Sequence, residues 1–135
     1  MRIRQVGIVV VFILGIACSA FARECVINPF GIPPEPRLLS PVTNDVDLKG
    51  KAYLEFKWLN DSVQVRDYIF KIYKGNNMYA SDLIYKQDLP SRESSIQVKA
   101  DLFEVGKVYT WSLIQVSLGG QKSDKSFSSF QVIKK

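Results

Sequence analysis

No histidine occurs anywhere in the 135 residues. Histidine is the side chain that titrates near neutrality and the commonest metal ligand, so imidazole-based catalysis and histidine-ligated metal sites are excluded within this chain. Cysteine is nearly as scarce, with Cys18 and Cys25 alone. A single thiol makes no zinc site, and a cysteine nucleophile would lack its imidazole partner. After residue 22 no Ser-x-x-Lys occurs, and no Gly-x-x-x-x-Gly-Lys loop is present. No run of five like charges exists, so the scattered lysines describe a solvated surface and not a nucleic-acid footprint. Internal repeats, low-complexity tracts and any sustained helical periodicity are also lacking.

What is present begins with an export signal. Arg2 and Arg4 precede an apolar run from Val6 to Ala17, and Ala20-Phe21-Ala22 sets small residues three and one before a cut. That is the order of a secretory signal peptide. The uncharged stretch is short for a membrane span, which needs about 20 residues. Cleavage after Ala22 is the expectation. Leu14-Gly15-Ile16-Ala17-Cys18 also resembles a bacterial lipobox, with Gly15 in the place usually held by Leu, so lipidation at Cys18 is the rival. An uncleaved anchor is a third possibility, and only the last two attach the chain to a membrane.

Cleavage leaves 113 residues, enough for one domain, with 16 basic and 13 acidic side chains and a net charge of +3. It also leaves one thiol, Cys25, which cannot close an intrachain disulfide. The core must then rest on apolar burial, and Cys25 is expected to be free or to pair with another molecule. Residues 23–36, "RECVINPFGIPPEP", hold four of the 6 prolines. This composition favours extended chain and predicts a semi-rigid spacer.

From Arg37 onward the pattern is short alternating runs divided by turns. "RLLSPVT" predicts a strand with Pro41 at an edge or break. "AYLEFKW" alternates strictly, Tyr53, Glu55 and Lys57 on one face and Leu54, Phe56 and Trp58 on the other. "DYIFKIY" places Tyr68, Phe70 and Ile72 together. "YASDLIYKQDL", "SSIQVKADLF", "GKVYTWSLIQVS" and "SFSSFQVIKK" complete seven strands. Seven strands in about a hundred residues predict an all-β, antiparallel seven-stranded sandwich.

One stretch is more specific. "FEVGKVY", Phe103 to Tyr109, resembles the signature before strand F of fibronectin type III domains. Phe103 takes the apolar place, Gly106 the turn and Tyr109 the tyrosine corner, while Val105 replaces the usual Pro. Trp58 stands where that family carries a buried Trp, and "YTWSLIQVSLGGQKSD" is similar to the last hairpin of bacterial members, with Gly119-Gly120 at the bend. The resemblance covers residues 37–133 and implies a fibronectin type III-like sandwich. It does not imply integrin binding, since Arg-Gly-Asp is absent. Tyr109 is expected to lock the corner through a backbone hydrogen bond. Trp111 is expected to fill the core against Trp58, Phe56 and Phe70; a sugar-binding platform is the alternative.

The carboxylates read as turn formers: Asp101 and Glu104 about the corner, Asp45 and Asp47 in an early loop. Calcium on Asp45, Asp47 and Asp61 has no EF-hand spacing behind it. No catalytic residue, cofactor or metal ligand is therefore assigned. Parity also turns Ile69 and Tyr73 outward on one strand, and Ile114 and Val116 outward on a neighbour. These four are candidates for an apolar partner surface, unless Phe30 and Ile32 of the spacer fold over it or a bulge near Gln115 reverses the parity. The function expected is a non-catalytic exported module acting through protein or glycan contacts at the cell envelope, periplasmic or extracellular. The alternative is a structural or assembly subunit that self-associates.

Overall fold

The computed structural model describes residues 32–60 and 64–135. Eight strands follow one another: β1 (Arg37–Ser40), β2 (Asp45–Asp47), β3 (Tyr53–Leu59), β4 (Val65–Lys74), β5 (Leu83–Pro90), β6 (Ser95–Lys99), β7 (Val108–Ser117) and β8 (Ser126–Lys134). They form a three-stranded sheet, β1-β3-β6, and a five-stranded sheet, β2-β8-β7-β4-β5. All pairings are antiparallel except β2 with β8. This is the fibronectin type III-like sandwich.

The eighth strand comes from the break expected at Pro41. Proline has no N–H to give a ladder, and after it the chain leaves the small sheet and pairs in the large one. Two bonds hold the crossing: Trp111 Nε1 donates to the Pro41 carbonyl at 2.8 Å, and the Thr43 N–H donates to Ser128 Oγ at 3.0 Å.

The alternation of β3 places Leu54, Phe56 and Trp58 inside, and that of β4 places Tyr68, Phe70 and Ile72 inside. Phe56 is the hub. Its ring centroid lies 5.0 Å from Phe70, 5.1 Å from Trp111 and 5.8 Å from Phe130, each pair edge-to-face. Each such ring removes roughly 150–250 Å² from water, and edge-to-face geometry suits the ring quadrupoles. Trp58 departs from expectation in its partner: it packs on Tyr68 at 5.5 Å.

Candidate binding cleft

The corner before β7 forms as its sequence predicts. Tyr109 is buried against Phe103 and Phe130, at 5.0 Å and 5.8 Å. Its hydroxyl accepts the Glu104 N–H at 2.8 Å. Gly106 holds φ +82°, a conformation that a side chain disfavours, and its N–H donates to the Val132 carbonyl at 2.7 Å. Trp111 is fully buried, which removes it as a sugar platform.

The four outward residues of β4 and β7 do not make one exposed surface. Ile69 and Ile114 face each other in register and are half-buried. Tyr73 and Val116 are buried, with 4% and 2% of their surface exposed. Beside Val116 the chain after Ser117 folds straight back. Val116 bridges Lys122, and the Ser123 N–H donates to the Gln115 carbonyl at 2.8 Å. Tyr73 sits beside Thr110 at a register shift against β5. Ile32 itself stays 48% exposed. The end of the proline-rich stretch instead packs at the open end of β7 and β8. Pro33 and Pro36 are buried, Gln115 Nε2 donates to the Pro34 carbonyl at 3.0 Å, and Ser126 Oγ donates to the Pro36 carbonyl. Cys18, Cys25, Phe30 and Asp61 lie outside the described residues.

Two surface hollows do exist, and Tyr53 lines both. Strand parity turns Tyr53 outward at the start of β3, where it pairs with Lys99 of β6 and keeps 48% of its surface exposed. The first hollow, about 550 Å³, lies toward β1 and β2 and includes Asp45, Asp47, Lys51, Glu55 and Lys57. Lys57 Nζ lies 3.0 Å from Glu55 Oε1, and this hydrogen bond holds the Glu55 carboxyl below the usual carboxylate range. Asp47 Oδ1 accepts the Lys49 N–H at 2.9 Å, the turn-forming use expected of it. Among the described residues no group of three or more acidic or thiol side chains is placed to hold a metal ion.

The second hollow, about 570 Å³, lies between β5 and β6, the outer strands of the two sheets. Tyr53, Tyr85, Val98 and Leu102 give it apolar walls, and Gln97, Lys99 and Asp101 give it polar groups. Tyr85 is fixed on both sides, its ring edge-on to Phe70 at 5.9 Å and its hydroxyl donating to Gln87 Oε1 at 2.6 Å. Leu102 and Asp101 are supplied by a 3₁₀ turn, Ala100–Leu102, that follows β6. Glu104, the other carboxylate of the corner, lies instead 3.9 Å from Lys74. Sequence parity anticipates Tyr53 as an outward residue. Nothing in the sequence marks Tyr85, because the hollow joins strands that are not neighbours in any sheet.

No family model and no curated relative match the chain. Solved structures do. The fibronectin(III)-like modules of CbhA from Clostridium thermocellum are similar at 15% identity, with a TM-score of 0.51 over 73% of this chain and 96% of that one. An alpha-L-rhamnosidase from Dictyoglumus thermophilum matches at 17% identity and a TM-score of 0.53, over 76% of this chain. There the match spans 13% of the larger protein. At these identities the likeness establishes the fold.

Proposed function

We propose that the chain is a non-catalytic binding module, exported by its N-terminal signal, that acts through protein or glycan contacts at the cell envelope. The observation that carries this reading is the pair of surface hollows sharing an exposed tyrosine, in a chain without histidine whose tyrosine corner and Trp111 serve the fold. Concave, largely preformed sites with apolar walls and a few polar groups are the usual form of a recognition site. The fold in question also occurs as a minor part of a sugar-acting enzyme, the rhamnosidase, which is consistent with an accessory role. Assembly through the edge strand β5 is less favoured, because β5 carries Lys86, Asp88 and Pro90, residues that blunt strand addition.

The test is to export the full chain from a Sec-competent bacterial host, confirm by intact mass a start at Arg23, and titrate the product with purified envelope polysaccharides and peptides. Saturable binding with no new reducing ends or peptide termini is expected. Turnover of any of these compounds would refute the non-catalytic reading, and the absence of saturable binding across both classes would refute the binding reading.

A further inference from the structure

Resting on that reading, we infer that the two hollows beside Tyr53 form one site for a neutral carbohydrate of several rings. The charge balance weighs against an ion of either single sign. The hollow between β5 and β6 holds one ammonium and one carboxylate, Lys99 and Asp101. The hollow toward β1 and β2 holds two lysines and three carboxylates, and two of these groups, Lys57 and Glu55, are already paired at 3.0 Å. An anion would meet the carboxylates and a cation the lysines. A neutral molecule rich in hydroxyls uses both as hydrogen-bond partners, and leaves none facing a like charge.

The apolar part fits the same class. Sugar rings carry C–H faces that pack on flat aromatic surface, and Tyr53 and Tyr85 offer such surface at the mouth of one hollow. Tyr85 is held by Phe70 and Gln87, so little ordering is needed when a ligand arrives. Each hollow falls within the size range of small-molecule sites. Their common wall is Tyr53, so a chain of rings can lie across it where a single ring occupies one side only.

The experiment is isothermal titration of the exported full chain with cellohexaose, mannohexaose, the anionic hexagalacturonate, and glucose. At least one neutral hexaose is expected to bind saturably, with glucose and hexagalacturonate each weaker by roughly tenfold or more. Tyr53→Ala removes the shared wall and is expected to weaken that binding roughly tenfold. Tyr53→Phe keeps the ring and is expected to stay within about threefold of the parent protein. Tyr53 is half-exposed, so both variants should melt like the parent. If Tyr53→Ala unexpectedly lowers the melt, Lys99→Ala, at an exposed position of the same wall, serves in its place and should weaken the hexaose several-fold. A hexaose that binds all variants equally well overturns the site but leaves the binding-module reading intact. Failure of both neutral hexaoses overturns the carbohydrate class. A protein or peptide ligand found in the preceding experiment would then still support a binding module of another kind.

Discussion

The two tryptophans provide a matched experiment on the core. Both are fully buried, and the pair Trp58→Phe and Trp111→Phe deletes the same atoms from each. The indole nitrogens differ. Trp111 Nε1 donates to the Pro41 carbonyl at 2.8 Å, whereas Trp58 Nε1 is buried without a partner. Loss of the second ring should cost either site a similar amount, roughly 1–2 kcal/mol in transfer and cavity terms. At Trp111 the substitution also strands the Pro41 carbonyl, and an unpaired buried acceptor costs about 1–3 kcal/mol. At Trp58 it removes an unpaired donor, which offsets part of the cavity cost. Trp111→Phe should therefore be the less stable variant by about 1–3 kcal/mol. With urea slopes of about 1–3 kcal/mol/M for small domains, the two midpoints should separate by on the order of 1 M. Equal midpoints, or Trp58→Phe as the weaker protein, would refute the account of what each indole nitrogen does.

Two further outcomes are expected. Tyr109→Phe keeps the ring stack with Phe130 but strands the Glu104 N–H, for a loss of about 1–3 kcal/mol, whereas Tyr85→Phe, at a half-exposed hydroxyl, should lose little; the corner account fails if the two variants melt alike. Carbon-detected NMR should find Glu55 titrating below an ordinary glutamate, and Lys57→Gln should raise it; because its folded value is the lower one, Glu55 contributes to stability above the usual carboxylate range and loses that contribution as pH falls, to a small extent at so open a site. An unmoved Glu55 in Lys57→Gln would dismiss the ion pair as its cause.

Local pattern carried much of the fold. The strict alternation of Tyr53 to Trp58 sorted inside from outside correctly because β3 is central in its sheet and each of its faces meets one environment. The corner was legible for a different reason. Phe103, Gly106 and Tyr109 act within a few residues of one another, and the hydrogen bond that closes the motif joins residues five apart. Pro41 announced a break in the first strand, but not where the chain went next. Its destination is fixed by Trp111, 70 residues on, and by the pairing of β2 with β8. Such contacts leave no period in the sequence.

The same distinction explains the outer face of β4 and β7. Parity told which way Tyr73 and Val116 point; it could not tell whether anything lies over them. Val116 is buried where its own chain returns beside it, a return set by Gly120 at φ +84° and by the bond from the Gly120 N–H to the Ser117 carbonyl at 2.9 Å. Facing outward and being exposed are separate properties, and only the first follows from a period of two. Tyr53 is the converse case. It points outward at the start of a central strand and remains open, with a hollow on either side of it. The cluster of Ile69, Tyr73, Ile114 and Val116 that periodicity assembled is less open than Tyr53, which the same period also set outward. Its 48% exposure comes with lining residues from both sheets, Tyr85 and Lys99 on one side and Asp45 and Lys51 on the other, which no local period brings together.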